Sequence, residues 1–343
     1  MPLSFGEAAP WFVVPTPSNP QFLFDTAAGR YVVLLFLPTE AAARVAALKM
    51  LSANQPLFDD VRAAAFVIVA GPEVTGVRDL RGLRWVLDVD GAVTARFKAD
   101  APHWLLLDPT LRVMESAPAE SDAVLRRLEN LPPPADHAGV PLHAPVLFAP
   151  RILEPELCQA LIDLHQASGG EFTGVMRDEG ARTVAVMDDL KKRRDVLVTN
   201  PELVAAITER LERRLSPMIV LALGFKLTRI ERFLVSCYDE GDGGVFRPHR
   251  DNTTQGTAYR MFACSLNLND DFDGGDLRFA EFGGATYRPP LGGAVVFSCS
   301  LMHEVLPVRR GRRYALLPFF YDETGAARLA EYQARQAQTE VAS

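Results

Sequence analysis

Two histidines and one aspartate in the C-terminal half of the sequence have the types and spacing of a metal site. His249 and Asp251 stand two residues apart in the run 246–251, and His303 follows later. In a β-strand, residues i and i+2 point to the same face about 6–7 Å apart, so one strand can present His249 and Asp251 to one metal ion. Two imidazoles and a carboxylate on one face leave coordination positions open, as O2 chemistry at Fe(II) requires. A single histidine is more often a core or surface residue, but His249 and His303 are the only histidines after residue 165.

An arginine ten residues beyond His303 is the candidate partner for an acidic ligand. Arg313 ends a basic run that begins at Arg309. A guanidinium group can hold a carboxylate with two parallel hydrogen bonds. Strand alternation places Arg313 on the face of Ala315 and opposite to Arg312. We therefore predict that Arg313 binds a carboxylate in a pocket, and that the other arginines of the run form a solvated strand end.

Short strands must position these residues. From Arg232 onward the sequence consists of short apolar runs separated by Gly, Asp and Pro turns. Eight such runs at this spacing predict a double-sheet jelly roll (a double-stranded β-helix), in which distant strands meet inside the barrel. The predicted strands are 233–238, 245–251, 261–268, 276–279, 285–288, 294–298, 303–308 and 313–321.

Helices are predicted to flank this β region. One spans Glu154 to Ala167, and a second has Asn200 as N-cap and Pro201 in its first turn. The second helix carries an apolar stripe that we interpret as core, formed by Leu203, Ile207, Leu211 and Leu215. The polar stretch from Glu171 to Val198 between the two helices is either a surface loop or an active-site lid.

The N-terminal part alternates strands and helices. Apolar runs at 31–37, 65–70 and 104–107 predict strands, and the alanine-rich stretch 40–54 predicts a helix. This order predicts a parallel α/β unit. Consecutive prolines in 131–136 indicate a linker. The expected organisation is an α/β domain over 1–130, a linker over 131–144, the β domain over 145–323 and a helical tail over 324–343.

Composition limits the classes of function. The formal net charge of −7 over 343 residues argues against a general nucleic-acid binder. No apolar run reaches the roughly 18–20 residues of a membrane span, and the first residues lack the features of a signal peptide, so we expect a cytoplasmic protein. The cysteines show no CxxC spacing and are expected to be buried free thiols: Cys158, Cys237, Cys264 and Cys299.

The region 145–322 resembles the prolyl-hydroxylase-like 2-oxoglutarate/Fe(II) dioxygenases. The matching motifs are Tyr238 to Gly244, Pro248 to Asp251, Ser265 to Asp270, Gly274 to Phe279, and His303 through Arg313. Carried over by position, the resemblance implies that the catalytic iron ligands are His249, Asp251 and His303. It also implies that 2-oxoglutarate is bound by Arg313, Tyr238 and Asn267. Arg313 and Tyr238 would hold its distal carboxylate, although Tyr238 could instead be a packed core aromatic.

This resemblance implies a hydroxylase that uses Fe(II), 2-oxoglutarate and O2, with ascorbate as a candidate reductant, and releases succinate and CO2. A carboxylate at Asp251 favours hydroxylation, because related halogenases have a small non-ligating residue there. The expected substrate is a protein or peptide side chain, with proline favoured, and the alternative is a free amino acid or small metabolite. A non-catalytic binding module is a further alternative, which the complete set of ligands disfavours.

The region 1–125 resembles a peroxiredoxin, a member of the thioredoxin-like class. The match rests on Gly6 to Phe12, Gly29 to Pro38, Asp88 to Gly91 and Leu107 to Pro109. The peroxidatic cysteine of that family should follow Pro38, but no cysteine occurs before Cys158. A thiol peroxidase is therefore disfavoured. We expect a redox-inactive thioredoxin-like domain that recruits a substrate, covers the active-site mouth or forms a homodimer.

Overall fold

The computed structural model describes residues 3–71 and 76–342 and separates into two compact units. The first unit comprises the chain up to Ala144 together with Ala280–Ala285. The second comprises Pro145–Phe279 and the chain from Thr286 onward, and it contains every candidate site residue.

The first unit is an α/β structure with a five-stranded sheet. Its strands are β1 (Val13–Val14), β2 (Phe22–Leu23), β3 (Tyr31–Phe36), β4 (Ala63–Ala70), β5 (Leu83–Asp88), β6 (His103–Leu107) and β7 (Val113–Pro118). Its helices are α1 (Ala41–Ala53), α2 (Ala92–Phe97) and α3 (Ala123–Glu129). The predicted helix over 40–54 is confirmed, because Glu40 caps α1 by accepting hydrogen bonds from the backbone N–H groups of Ala42 and Ala43.

The sheet of the first unit is mixed rather than parallel. Its order is β5-β4-β3-β6-β7, and β3, β4 and β5 run parallel, whereas β6 pairs antiparallel with β3. The prediction of a wholly parallel unit is therefore wrong for β6. The reason is the connection after β5: α2 has only six residues, about 9 Å of helix, which does not return the chain to the opposite end of the sheet.

The second unit contains the remaining strands and the longer helices. The strands before the candidate site are β8 (Leu147–Ala149), β9 (Glu171–Phe172), β10 (Val175–Glu179), β11 (Arg182–Val186), β12 (Lys191–Lys192), β13 (Arg194–Leu197) and β14 (Arg229–Ile230). Those that follow are β15 (Leu234–Asp239), β16 (Val245–His249), β17 (Phe262–Asn267), β18 (Asp273–Gly274), β19 (Leu277–Arg278), β20 (Thr286–Tyr287), β21 (Ala294–Ser298), β22 (His303–Val305), β23 (Val308–Arg310), β24 (Arg312–Leu316) and β25 (Phe319–Tyr321). The helices are α4 (Pro155–Ser168), α5 (Pro201–Arg210), α6 (Ser216–Leu223) and α7 (Glu323–Ala342).

Two antiparallel sheets form the centre of the second unit. The larger contains β14-β25-β17-β24-β15-β13-β9, with β21 and β8 joined through β17, and the smaller has the order β12-β16-β22-β19-β20. Their inner faces meet, since the Phe297 ring of β21 lies 4.6 Å from the His303 ring of β22 and 5.0 Å from the Phe279 ring. The sheet-rich architecture predicted for this region is thus present.

Two predicted strands are each divided in the structure, and proline explains both divisions. The predicted strands 303–308 and 313–321 are each divided in two, at Pro307 and at Pro318, because proline has no N–H group to donate to a neighbouring strand. The polar stretch from Glu171 to Val198 was predicted to be a loop or a lid. It is not a loop, because it contains the β10–β11 hairpin and strands that pair with β15 and β16. The lid interpretation stays a prediction.

The helices of the second unit begin where the sequence indicated. Asn200 caps α5 by accepting hydrogen bonds from the backbone N–H groups of Glu202 and Leu203, at 2.9 and 3.1 Å. The helix continues through a wide π-helical turn, Leu211–Leu215, into α6. Pro217 follows this turn and cannot donate the next α-helical hydrogen bond. The apolar stripe of the helix that begins with α5 lies in the core, as predicted, and Ile207, Leu211 and Leu215 are fully buried.

The cysteines and the helices were also subjects of prediction. All four cysteines are buried free thiols, as predicted. Among residues 3–71 and 76–342, none of the helices combines the length and the apolar composition that a bilayer span needs.

Candidate metal centre

Two neighbouring strands of the smaller sheet bring the predicted ligands together. His249 is the last residue of β16 and His303 is the first residue of β22, and the two are Cα partners across the strand pair. The prediction that one strand would present both His249 and Asp251 is wrong in detail, because β16 ends at His249. Asp251 lies in the bend that follows, where its backbone N–H donates to the carbonyl of Cys299 at 3.0 Å.

The ligand atoms of these three residues converge. The Nε2 atoms of His249 and His303 lie 3.6 and 3.4 Å from the two carboxylate oxygens of Asp251. One ligand atom from each residue can be chosen so that all lie within 4.8 Å of one another. Two imidazole nitrogens and one carboxylate oxygen on one face form the donor set of non-haem Fe(II) sites that keep positions open for O2. The residues present therefore fit Fe(II).

Each imidazole is held in the tautomer that a metal ligand requires. The Nδ1 atom of His249 lies 2.8 Å from the carbonyl oxygen of Arg247, and that of His303 lies 3.0 Å from the carbonyl oxygen of Leu301. A carbonyl oxygen can only accept, so both Nδ1 atoms carry the proton. Nε2 is then the nitrogen of each neutral ring that can bind a metal ion, and both Nε2 atoms face Asp251.

Aromatic rings pack against the two histidines. The Phe246 ring stacks on His249 with a centroid distance of 3.5 Å and an interplanar angle of 17°. Phe297 packs edge-on against His303. Burial, reinforced by the neighbouring His303, holds the pKa of His249 well below its usual value. His249 is thus neutral near pH 7, which is the form that binds a metal ion.

An ion pair behind Asp251 supports the bend that carries it. The Arg260 guanidinium donates to both carboxylate oxygens of Glu231, at 2.6 and 2.8 Å, and its third nitrogen reaches the backbone carbonyl of Asp251 at 3.4 Å. Burial alone would raise the pKa of Glu231, but its bonds to Arg260 hold that pKa below its usual range. Sequence reasoning missed this pair, because neither residue stands in a recognisable motif.

Arg313 is buried on β24 with an incomplete set of partners. Its side chain donates to the Ser265 hydroxyl at 2.7 Å and to the Asn267 amide oxygen at 3.1 Å. Its third nitrogen, Nη1, is buried and has no hydrogen-bond partner among the described residues, and no carboxylate in that part of the chain forms an ion pair with it. Burial lowers the pKa of Arg313. A buried guanidinium without a counter-ion is costly unless an anion binds there.

Tyr238 and Asn267 flank Arg313 in different ways. Tyr238 on β15 is the Cα partner of Arg313, and the guanidinium carbon lies 5.4 Å from the centre of its ring. The tyrosine is buried, so the packed-aromatic interpretation and the ligand-binding interpretation both agree with its position. Asn267 accepts a hydrogen bond from Arg313 at its amide oxygen, and its side-chain N–H group donates to the carbonyl oxygen of Pro289 at 2.8 Å. It therefore supports Arg313, and its predicted direct contact with the cosubstrate stays a prediction.

A second group of charged residues reaches this site from the stretch 171–198, which was predicted to be a surface loop or an active-site lid. Arg193 donates to the Tyr238 hydroxyl at 3.2 Å and to the Asp195 carboxylate at 3.0 Å. Lys191 lies 3.4 Å from the same carboxylate. Alternate spacing of these residues at 191, 193 and 195 is typical of one face of a strand, and it is the signal that could have identified them.

The chain is similar in sequence to one known protein family and to known hydroxylases. The family described as the 2OG-Fe(II) oxygenase superfamily matches residues 233–321. A PKHD-type hydroxylase from Synechococcus sp. strain CC9605 is 30% identical over 152 residues, which cover 43% of this chain and 68% of that protein. Another, from Synechococcus sp. strain JA-2-3B'a(2-13), is 32% identical over 93 residues, which cover 25% of this chain and 41% of that protein. The chain thus spans about two fifths of the length of this relative.

Among solved structures, the crystal structure of a prolyl-4-hydroxylase from Pseudomonas putida has 23% sequence identity to this chain and a TM-score of 0.41. The alignment covers 52% of this chain and 92% of that chain.

Proposed function

Since the chain belongs to the 2OG-Fe(II) oxygenase superfamily, we propose that it hydroxylates a C–H bond of its substrate. The family implies Fe(II), 2-oxoglutarate and O2 as the reacting partners. The observation that carries the proposal is the convergence of His249, Asp251 and His303, whose ligand atoms lie within 4.8 Å of one another. When bound, Fe(II) would couple oxidation of 2-oxoglutarate to succinate and CO2 with insertion of one oxygen atom of O2 into the substrate C–H bond.

In this proposal the chain supplies the ligands and controls access to the metal. His249, Asp251 and His303 hold Fe(II), and the backbone carbonyls two residues before each histidine keep the two imidazoles oriented. Phe246 and Phe297 cover the rings and limit the entry of water beside the ligands.

The distal carboxylate of 2-oxoglutarate is the proposed counter-ion of Arg313. The guanidinium is buried, and Nη1 has no hydrogen-bond partner among the described residues, so a carboxylate there would satisfy both the charge and the free N–H. Tyr238 is the second proposed contact of this carboxylate. Asn267 and Ser265 orient the guanidinium from behind.

The proposed substrate is a protein or peptide side chain, with proline as the residue to test first. This choice rests on the motifs shared with prolyl-hydroxylase-like enzymes, and a free amino acid or small metabolite is the alternative. Incubation with peptide and amino-acid pools, followed by measurement of substrate-dependent succinate release, distinguishes the two.

We further propose a jelly roll over residues 145–323, a linker over 131–144 and a C-terminal helical tail over 324–343. For residues 1–130 we propose a thioredoxin-like domain without peroxidase activity. Its mixed sheet and the lack of any cysteine before Cys158 support this assignment. A cytoplasmic location, a homodimer and the use of ascorbate belong to the same proposal, and no nucleic-acid substrate is expected for a chain of net charge −7.

The decisive experiment measures succinate formation by the full chain. Turnover of 2-oxoglutarate should require both Fe(II) and O2, and it should stop when a chelator removes the metal. Succinate formation that continues without iron, or no binding of Fe(II) or 2-oxoglutarate by the folded protein, would overturn the proposed function.

A further inference from the structure

A buried ion cluster lies beside the candidate metal centre and has no part in the function proposed above. It consists of Lys191, Arg193 and Asp195 together with the hydroxyl groups of Thr173 and Ser236, and we call it the Asp195 cluster. Ser236 donates to one carboxylate oxygen of Asp195 at 2.6 Å, and Thr173 donates to the other. Asp195 has 2% of its side chain exposed, Lys191 7% and Arg193 10%. Ions are rarely buried to this degree unless they are paired.

The strand register places this cluster next to Tyr238. β13 pairs with β15 so that Arg194 faces Cys237 and Asp195 faces Ser236. Arg193 is therefore one step further along the ladder, beside Tyr238. On its other side β15 pairs with β24, where Tyr238 faces Arg313. Tyr238 thus lies between two arginines, one from each neighbouring strand.

The two arginines are not equivalent. Arg193 is paired with Asp195: its Nη2 donates to one carboxylate oxygen at 3.0 Å, while its Nε lies 2.7 Å from the other as an ion-pair contact without hydrogen-bond geometry. That carboxylate raises the pKa of Arg193 despite burial. Arg313 has no carboxylate partner among the described residues, and burial lowers its pKa. Arg193 already has its counter-ion, whereas Arg313 does not.

The contact between Arg193 and Tyr238 fixes the direction of a proton. A guanidinium group can only donate hydrogen bonds, so the oxygen of Tyr238 is the acceptor of the 3.2 Å bond from Arg193. The hydroxyl proton of Tyr238 must then point away from Arg193. Among the residues that the structure describes, the bond from Arg193 is the hydrogen bond that the Tyr238 hydroxyl forms, and its own proton is not donated in another.

We propose that Arg193, held in place by Asp195, is a positioning residue that fixes the Tyr238 hydroxyl as a hydrogen-bond donor to the distal carboxylate of 2-oxoglutarate. This inference rests on the proposed function. The site then offers two unpaired donors to one dicarboxylate, namely Arg313 Nη1 and the Tyr238 hydroxyl. A 2-oxo acid that lacks the second carboxylate would gain no binding affinity from these two donors.

The test compares 2-oxoglutarate binding in a double-mutant cycle. The dissociation constant is measured without O2 on the full chain loaded with Mn(II), for the wild type, Arg193→Met, Tyr238→Phe and the double variant. A hydrogen bond to a charged group contributes about 1.5–3 kcal/mol, so each single change should weaken binding by about tenfold or more. The double variant should bind no more weakly than Tyr238→Phe alone, because Arg193 acts only through the tyrosine hydroxyl.

Two controls separate positioning from general damage. Arg194→Met removes the neighbouring arginine, whose ion pair with Asp242 is on the surface, and it should leave 2-oxoglutarate affinity unchanged. Pyruvate, a 2-oxo acid with no distal carboxylate, should bind equally to the wild type and to Arg193→Met. Mn(II) affinity and the thermal midpoint, measured on the same samples, report whether the variant is folded. If Arg193→Met does not fold, the milder Asp195→Asn replaces it in the same cycle.

Each result decides the inference. Unchanged affinity in Arg193→Met, penalties that add in the double variant, or an equal loss of pyruvate binding would overturn it. If the wild type and Tyr238→Phe behave as expected while Arg193→Met does not, only this inference fails. If the wild type does not bind 2-oxoglutarate, both the inference and the proposed function fail.

Discussion

His249 and His303 face each other across two paired strands. Each donates its Nδ1 proton to the backbone carbonyl oxygen of the residue two positions earlier in the sequence. This repeated local contact leaves both Nε2 atoms as acceptors on the same side. The carboxylate of Asp251 is the third candidate ligand, and its oxygens lie 3.6 and 3.4 Å from those two Nε2 atoms.

Removing one of these side chains should strongly weaken metal binding. Because three ligand atoms share the metal, His249→Ala or Asp251→Ala should lower Fe(II) affinity by more than the 10–100-fold typical of changes outside the ligand set, and succinate formation should stop. Metal analysis after anaerobic desalting measures the first effect. Asp189→Ala, at an exposed aspartate, is the control and should bind normally. Full activity in either ligand variant would contradict the assignment.

Substitution of Arg313 should affect the cosubstrate rather than the metal. Arg313→Ala would leave a buried carboxylate unpaired, at a cost on the order of 3–5 kcal/mol, which corresponds to a loss of 2-oxoglutarate affinity of roughly 10²–10³-fold or more. Titration of the Mn(II)-loaded protein measures this loss. Arg310→Ala is the matched control, since Arg310 is exposed on β23 and an exposed charge contributes little. Equal effects of the two substitutions would rule out the role of Arg313.

The ion pair behind Asp251 should stabilise the metal site from a distance. Glu231→Gln weakens the hold on Arg260, which reaches the backbone of Asp251, and should reduce Fe(II) affinity by about 10–100-fold. The apparent affinity for 2-oxoglutarate at saturating metal should change far less. Glu323→Gln disrupts an exposed ion pair with Arg229 and should leave metal affinity unchanged. A Glu231→Gln variant with wild-type metal affinity would refute this support role.

The buried thiols should make the protein less stable at high pH. Burial raises the pKa of Cys158 and of Cys237 to about 11, whereas an unfolded cysteine has a pKa of about 8.5. The folded state therefore favours the neutral thiols, and their contribution is fully present below pH ~8.5 and is lost as pH rises toward 11. Urea unfolding between pH 8 and 10.5 should show this decline, and Cys158→Ala should make it shallower. Rapid modification of the native thiols at pH 8 would contradict the prediction.

The chain should not reduce peroxide. Peroxide reduction by a thioredoxin-like domain needs a thiolate, and Thr39, the hydroxyl nearest to the expected position, is not ionised near neutral pH. Full-length protein supplied with a thiol reductant should consume peroxide no faster than a heat-treated sample. The control is a variant with all four cysteines changed to serine, and turnover that this variant lacks would overturn the prediction.

Local patterns in the sequence predicted many of the elements and the candidate metal ligands that the structure brings together. The spacing of His249 and Asp251, and the alternation that places Arg313 opposite Arg312, depend on neighbours in the chain. The structure accordingly brings His249, Asp251 and His303 together and buries Arg313. The cap at Asn200 was predictable for the same reason, because its acceptor and donors lie within three residues.

Features that depend on distant pairing were not predictable. The charged stretch 171–198 has the composition of a loop, and it becomes strand because β13 and β12 pair with β15 and β16. The contact from Arg193 to Tyr238 joins residues 45 positions apart. Likewise, β6 is antiparallel because the connection after β5 is short. Hydrophobic periodicity indicates strands but does not indicate their direction in the sheet.

The register between β15 and β24 has an evolutionary consequence. Tyr238 and Arg313 are opposite each other, while their neighbours Cys237 and Tyr314 point into the core on the other face. Inserting or deleting one residue in either strand would exchange the two faces, removing both polar groups from the site and burying a charged side chain under the helices. Related sequences are therefore expected to differ in the length of the turns but not in the length of these two strands. A length change within either strand would remove Tyr238 and Arg313 from the site together.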